Sequence, residues 1–178
     1  MKNFYDAVII GGGPAGLAAA IYLSRAQYQV LVVEKETIGG QITITSEVVN
    51  YPGILRTDGR KLTETMKVQA QNFGADFLLA EVWEVSLEGE RKYVVTDKGK
   101  IETLGIVLAT GASPRKAGFD GEEAFRGRGV AYCATCDGEF FTGKQVLVVG
   151  GGFAAVEGAL FLTRYASRIT MIVRGEEF

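Results

Sequence analysis

The pattern of apolar and polar positions near the N-terminus predicts a strand, a glycine turn, a helix and a second strand. Residues 6–11 form a short apolar run that is typical of a buried strand. A glycine-rich turn follows over 11–16, and the spacing beyond it predicts a helix over 14–27 with Pro14 in its first turn. Residues 30–34 predict the second strand, with four apolar residues followed by Glu34. Together these elements predict a βαβ unit of about 30 residues.

The middle of the chain predicts one helix and three strands. Helical spacing of apolar residues covers 61–73, and strands are expected over 75–85 and 91–96, joined by a turn at 88–90. A further buried strand is expected over 106–109. The fold class is therefore α/β, with a parallel sheet that also carries antiparallel strands.

The chain then repeats its own beginning. A strand is predicted over 145–150, a glycine turn over 150–155, a helix over 154–165 and a strand over 168–173. This series matches the opening of the chain in order and in spacing. Two strands and one helix cannot build a doubly wound domain, which needs several covered parallel strands. We therefore expect the second domain to be incomplete and the chain to be a fragment. The expected linker covers 113–120.

Composition narrows the class of protein. The chain has 178 residues, of which 47% are hydrophobic and 22% are charged, as in one or two globular domains. The formal net charge of −2 argues against nucleic acid as a partner. The chain contains no histidine, which excludes a histidine-based catalytic triad and most zinc sites. No metal site is expected.

An uncharged stretch over 7–23 resembles a signal peptide or a membrane span. Residues 11–14 lie in its middle, and three glycines and a proline would break a spanning helix and leave amides unpaired in lipid. We therefore expect no membrane segment and a cytoplasmic location. In that compartment paired cysteines are more often redox-active than structural.

The first glycine loop has the pattern of a dinucleotide site. Gly11 permits a tight turn, Gly13 lets the backbone approach a pyrophosphate, and Gly16 lets the helix pack closely on the strand. Glu34 ends the second strand, where its carboxylate can accept a hydrogen bond from a ribose hydroxyl. The alternative is a glycine turn beside a solvated glutamate, and the complete βαβ context favours the dinucleotide.

The second glycine loop carries a weaker signal. Gly150, Gly152 and Ala155 keep the pattern, since alanine is tolerated at the third position. Val173 takes the place that Glu34 has in the first unit, and Arg174 follows it. An acidic residue there would favour NAD and a basic cluster NADP, and neither is present. Dinucleotide binding is favoured over an empty fold element.

The two cysteines, Cys133 and Cys136, are three positions apart. A zinc site needs four ligands, and this pair supplies two. A structural disulfide across so short a loop constrains little chain entropy. A redox dithiol needs two sulfurs close together and a means of lowering a thiol pKa, which this spacing provides. Asp137 follows directly and can relay protons, so the redox interpretation is favoured.

These motifs resemble the low-molecular-weight thioredoxin reductases, a group of flavoprotein disulfide reductases, over essentially the whole chain. The segment Ala-Tyr-Cys-Ala-Thr-Cys-Asp-Gly at 131–138, placed just before a second glycine loop, is the most specific part. Four other stretches agree with it: Gly-Gly-Gly-Pro-Ala-Gly at 11–16, Gly-Gly-Gln-Ile-Thr at 39–43, Val-Asn-Tyr-Pro-Gly at 49–53 and Ala-Thr-Gly-Ala at 109–112.

The resemblance implies a Rossmann-like FAD-binding domain whose first part is residues 1–113. An inserted Rossmann-like domain, with the redox disulfide and a pyridine-nucleotide loop, would begin at 114 and be incomplete at 178. FAD would contact residues along the first domain: Gly11, Gly13, Pro14, Ala15, Gly16, Glu34, Lys35, Gly39, Gly40, Gln41, Asn50, Thr110 and Gly111. Without the family's last FAD-binding segment, the chain should hold FAD weakly or not at all.

The resemblance also assigns chemistry. Cys136 would face the flavin, Cys133 would attack the protein substrate, Asp137 would donate the proton, and the linker would act as a hinge. At Val173 and Arg174 the family's usual pair of arginines for an NADPH phosphate is reduced to Arg174. NADH and reduced ferredoxin are therefore alternative donors to NADPH. If the donor is a nucleotide, it would bind beside Gly150, Gly152 and Ala155.

Thioredoxin or a thioredoxin-like protein is the expected substrate, and the complete protein is expected to form a homodimer. Two alternatives stay open. One is a peroxiredoxin-reducing flavoprotein with a further thioredoxin-like module, and the other is a non-catalytic nucleotide-binding fragment.

Overall fold

The computed structural model describes residues 2–175. The chain folds as two compact units, Met1–Ser113 (unit 1) and Pro114–Phe178 (unit 2).

Unit 1 is built on one six-stranded sheet. Its strands are β1 Phe4–Ile10, β2 Val30–Glu34, β3 Asp76–Leu79, β4 Val82–Ser86, β5 Lys92–Thr96 and β6 Gly99–Leu108. They lie in the order β3-β2-β1-β6-β5-β4. The first four strands are parallel to one another, β5 is antiparallel to β6, and β4 is antiparallel to β5. The predicted α/β class with a mixed sheet is confirmed.

Two helices cover unit 1. Helix α1 is Pro14–Arg25 and helix α2 is Gly59–Asn72, and a short 3-10 helix lies at Gly40–Ile44. Leu17 is fully buried between α1 and α2 beside Leu62 and Met66. The small residues of α1 lie against the sheet, where Ala20 packs with Ile9 and Val30. Close packing of α1 places its N-terminus at the carboxyl end of β1.

Unit 2 repeats the start of unit 1 on a smaller scale. It contains α3 Ala134–Asp137, a 3-10 helix Gly138–Phe141, β7 Gln145–Val149, α4 Phe153–Leu162 and β8 Arg168–Ile172. Strands β7 and β8 pair in parallel, with Gln145 opposite Arg168. The predicted βαβ start is present, and α4 ends earlier than the predicted residue 165.

One predicted strand was wrong. Residues 75–85 form two strands rather than one: β3 pairs with β2 at one edge of the sheet, and β4 pairs with β5 at the other. The extended strand is interrupted at Ala80 and Glu81. The Ala80 amide donates to the Glu34 carbonyl, and the Glu81 amide donates to the Asp97 carboxylate. Tertiary hydrogen bonds therefore divide an apolar run that contains no turn residue.

Several predicted boundaries also differ from the structure, three of them for a physical reason. Helix α1 ends at Arg25, before Gln27, whose φ of 69° cannot continue a helix. Helix α2 begins at Gly59 because Asp58 caps it by accepting from the amide of Lys61. Strand β6 begins at Gly99 rather than 106, and Leu108 near its end is 69% exposed instead of buried.

Candidate functional site

The loop between β1 and α1 needs two of its glycines for its own fold. Gly11 has a φ of 108°, and a Cβ there would lie 2.2 Å from the carbonyl oxygen of Ala109. A Cβ on Gly16 would lie 1.9 Å from the carbonyl oxygen of Gly11. Both distances are far below a normal contact, so a side chain at Gly11 would displace the segment after β6, and one at Gly16 would push α1 away from the loop.

Gly13 is different, because no atom of the described residues fills the space beside it. A Cβ there would come no closer than 3.9 Å to Gly39 or Gly40, and the φ of −75° suits any residue. Gly13 is also the N-cap of α1, which has no side-chain cap and no acidic residue in its first turn. Helix α2, by contrast, is capped by Asp58. The open space and uncapped amides suit a phosphate.

Glu34 closes one side of this loop. Its Oε2 accepts from the amide of Gly12 at 2.8 Å, and its Oε1 accepts from the amide of Glu36 at 3.1 Å. Each carboxylate oxygen can accept a second hydrogen bond, so Glu34 keeps acceptor capacity for a ribose hydroxyl. Lys35 instead extends to Glu81 at 2.7 Å, and this partner raises the pKa of Lys35.

The segments after β2 and β6 lie against the same loop. The amide of Gly39 donates to the carbonyl of Gly12 at 2.8 Å, and Thr110 follows Ala109 beside Gly11. Gln41 donates from Nε2 to the carbonyl of Ala112. The carboxyl ends of β1, β2 and β6 therefore bring together most of the predicted FAD contacts: Gly11, Gly13, Pro14, Ala15, Gly16, Glu34, Gly39, Gly40, Gln41, Thr110 and Gly111.

Two predicted contacts, Lys35 and Asn50, are not brought to this group. Lys35 pairs with Glu81, and Asn50 is exposed in the loop closed by the bridge between Val48 and Thr57. Their roles stay predictions.

The second glycine loop has the same backbone with different neighbours. Gly150 has a φ of 134°, and a Cβ on Gly152 would meet nothing within 4 Å. Helix α4 has no side-chain cap and no acidic residue in its first turn. Val173 packs on Gly151 as Glu34 does on Gly12, but without a carboxylate. Arg174 beside it is exposed.

Cys133 and Cys136 form a disulfide on α3. Cys133 is the N-cap of this short helix, and its sulfur accepts from the amide of Cys136 at 3.3 Å. Cys136 is exposed. Helix α3 packs closely on α4, since a Cβ on Gly158 of α4 would lie 3.4 Å from the Cβ of Ala134. The disulfide therefore lies against the helix that begins at the second glycine loop.

Asp137 ends α3 directly after Cys136. It is partly buried, and desolvation of its carboxylate raises the pKa of Asp137 above the ordinary value. The carboxyl group is therefore better able to hold a proton than an exposed aspartate would be. This direction agrees with an acid beside a dithiol.

Glu122 is a residue that the sequence did not single out. Its side chain is buried in unit 2 and accepts hydrogen bonds from the segment before it and from Tyr132. A glutamate among charged neighbours gives no sequence signal for burial.

Residues 5–178 match the family described as pyridine nucleotide-disulphide oxidoreductase. The chain belongs to this family. Membership accounts for two glycine loops and a disulfide in one chain, and the predicted resemblance is confirmed. Within residues 2–175, no group of three or more histidine, cysteine, aspartate or glutamate side chains is placed to hold a metal ion.

Relatives of this pyridine nucleotide-disulphide oxidoreductase include thioredoxin reductases. The chain is 47% identical to one from Peptoclostridium acidaminophilum, covering 99% of this chain and 56% of the relative. A solved thioredoxin reductase from Streptococcus pyogenes MGAS5005 has a TM-score of 0.95 and 38% identity, covering 100% of this chain and 58% of that one. The chain thus spans little more than half the length of these relatives.

A second solved structure is also similar to the chain. A ferredoxin-flavin thioredoxin reductase from Clostridium acetobutylicum is 32% identical with a TM-score of 0.57, covering 98% of this chain and 61% of that one.

In the part of the chain that the structure describes, no helix has the length and apolar character to cross a membrane.

Proposed function

We propose that this chain carries the FAD-binding loop and the redox disulfide of a flavin-dependent disulfide reductase that reduces thioredoxin or a thioredoxin-like protein. The observation that carries the proposal is the disulfide between Cys133 and Cys136 on a helix packed against a nucleotide-type βαβ unit. A purely structural disulfide would be expected to be buried, whereas Cys136 is exposed at the start of this unit.

The residues of unit 1 fit FAD. The pyrophosphate would lie in the space beside Gly13, on the uncapped amides of α1, and Glu34 would accept from the adenosine ribose. Gly39 to Gln41, Thr110 and Gly111 would line the path toward the flavin, with Lys35 and Asn50 at its edge. When bound, FAD supplies two-electron transfer to and from the disulfide.

Once reduced, the cysteine pair passes its electrons on by thiol exchange. The Cys133 thiolate attacks the partner's disulfide, forms a mixed disulfide and releases one partner thiolate. The Cys136 thiolate then attacks the Cys133 sulfur, which restores the intramolecular disulfide and releases the second partner thiol. Asp137 holds the proton that a departing thiolate takes up, and its raised pKa suits this role.

The donor is proposed as NADPH, NADH or reduced ferredoxin. The space beside Gly152 and the uncapped start of α4 suit a nucleotide pyrophosphate, with Gly150 and Ala155 forming the turn. Arg174 offers a single exposed cation to a 2′-phosphate, which weakens the case for NADPH. Homodimer formation and a cytoplasmic location stay predictions.

The test uses the full-length polypeptide. Replacement Cys136→Ser should abolish reduction of a thioredoxin disulfide, because the mixed disulfide at Cys133 can no longer be resolved. Unchanged turnover would refute the proposal. Anaerobic reduction of the flavin by NADPH, NADH and reduced ferredoxin then identifies the donor. A protein without a flavin absorbance band would instead be a non-catalytic nucleotide-binding module.

A further inference from the structure

Glu122 joins three donors inside unit 2. Its Oε1 accepts from the amide of Ala117 at 2.8 Å and from the hydroxyl of Tyr132 at 2.7 Å, and its Oε2 accepts from the amide of Gly118 at 2.7 Å. The residue is only 5% exposed. These donors, the amide of Ala117 first, lower the pKa of Glu122, so the carboxylate is charged at neutral pH.

Tyr132 is the residue immediately before Cys133. Its side chain is 38% exposed, so burial alone does not fix it. Two polar contacts hold the Tyr132 side chain in place. Its hydroxyl donates to Glu122, and the guanidinium carbon of Arg126 lies 5.4 Å from its ring centre. The backbone that leads into the disulfide is therefore held by a side-chain contact rather than by a strand or helix.

The position of Cys133 decides how well its sulfur meets the helix. The sulfur accepts from the amide of Cys136 at 3.3 Å, the N-cap bond of α3. In the reduced protein this amide would donate to the Cys133 thiolate and stabilise the charged form. A small change in the backbone at Tyr132 would lengthen or misdirect that hydrogen bond.

We propose that Glu122 is a positioning residue for Cys133 that acts through the Tyr132 hydroxyl and keeps the reduced sulfur aimed at the α3 amide. This role rests on the proposed function only where it treats Cys133 as the attacking thiol. The Cys133 thiol is therefore more reactive at neutral pH than it would be without the contact between Glu122 and Tyr132, and this holds for any electron donor.

The sign of the effect separates positioning from plain electrostatics. A negative charge near a thiol raises the thiol pKa, so removing the Glu122 charge would by itself make Cys133 more reactive. Loss of positioning does the opposite. The other charged groups around this cluster are Lys116, Glu123 and Arg126, which act on Glu122 or Tyr132, and Asp137 and Glu139, which follow the disulfide.

The experiment measures alkylation of Cys133 by iodoacetamide between pH 5 and 10, in the 178-residue chain with Cys136→Ser. This replacement leaves one thiol and keeps the backbone amide at position 136. In that background we expect Glu122→Gln and Tyr132→Phe each to slow alkylation at pH 7 about three- to tenfold by raising the thiol pKa. Tyr132→Phe changes no charge.

The matched control is Glu123→Gln. Glu123 is the exposed neighbour that pairs with Lys116 at 2.7 Å, so its loss makes the same change in net charge without touching the Tyr132 hydroxyl. Its alkylation rate should stay within about twofold of the parent. The combination of Glu122→Gln and Tyr132→Phe should be no slower than the slower single variant, because both weaken the same contact: Glu122→Gln removes the charge of its acceptor, and Tyr132→Phe removes its donor.

Faster alkylation in Glu122→Gln, or an unchanged rate in Tyr132→Phe, would overturn the positioning role. If Glu122→Gln does not fold, as judged by circular dichroism, Tyr132→Phe decides alone, since it leaves both amide bonds to Glu122 in place. The proposed function fails separately: thioredoxin reduction by the full-length polypeptide can be absent while Cys133 still responds to Tyr132→Phe.

Discussion

Gly13 and Gly16 lie in the same loop, but the structure gives opposite reasons for their lack of a side chain. In Gly16→Ala the new methyl group would start 1.9 Å from the Gly11 carbonyl oxygen and 3.3 Å from a methyl of Ile9. Relief requires α1 to move by about 1 Å from a packed sheet, which costs about 3 kcal/mol.

Gly13→Ala should leave the fold almost unchanged. The methyl group has no neighbour closer than 3.9 Å, and the backbone conformation is ordinary for alanine. A poorer N-cap costs about 0.5 to 1 kcal/mol, and the reduced entropy of the unfolded chain returns a similar amount. The free energy of unfolding should therefore change by less than about 1 kcal/mol.

Urea unfolding of the 178-residue chain, followed by circular dichroism, measures both effects. We expect Gly16→Ala to be the less stable variant by about 2 kcal/mol or more. In the full-length polypeptide, Gly13→Ala should still lower FAD affinity at least about tenfold, because the methyl group occupies the place proposed for the pyrophosphate. Equal destabilisation by the two variants, or full FAD affinity in Gly13→Ala, would refute the reasoning.

Three further predictions concern burial, capping and pH. Leu17→Ala should cost about 2 to 5 kcal/mol of unfolding free energy, whereas Leu55→Ala, at a position 96% exposed, should cost less than about 0.5; similar losses would contradict the packing described. Asp58→Ala should cost about 1 kcal/mol and Asp58→Asn much less, since Asn can still accept from the α2 amide; thermal unfolding compares them. Because the folded pKa of Asp137 is raised, its protonated form favours folding below the ordinary value of 3.8, and this contribution is lost as pH rises. Asp137→Asn should therefore exceed the wild type in stability at pH 7 but not at about pH 3, and a pH-independent difference would contradict the raised pKa.

The local elements of the fold could be predicted because their signals are local. A glycine turn between an apolar run and a helix, with Glu34 ending the next strand, gives β1, α1 and β2 directly. The division of residues 75–85 could not be predicted, because it depends on partners distant in sequence. β3 pairs with β2, and β4 with β5, so the same apolar pattern serves two edges of one sheet.

The candidate site divides in the same way. Cys133, Cys136 and Asp137 are adjacent in sequence, so their spacing alone indicates their chemistry. The convergence of Gly13 with Gly39 depends on how strand ends meet, and the sequence suggested it only through resemblance. Glu122 was missed because two of its donors, the amides of Ala117 and Gly118, lie in a segment that looks like an ordinary polar linker, and the third, the Tyr132 hydroxyl, comes from further along the chain.

Strand β6 has a consequence for how the protein is made. Its residues 99–103 pair with β5, which precedes it closely, while its residues 102–108 pair with β1, where Phe4 lies opposite Glu102, 98 residues later in the chain. During synthesis on the ribosome, one edge of the apolar β1 therefore has no hydrogen-bonding partner until β6 has emerged. We expect stalled nascent chains that end before Gly99 to be readily cleaved by protease and bound by chaperones, and chains released after β6 to resist cleavage.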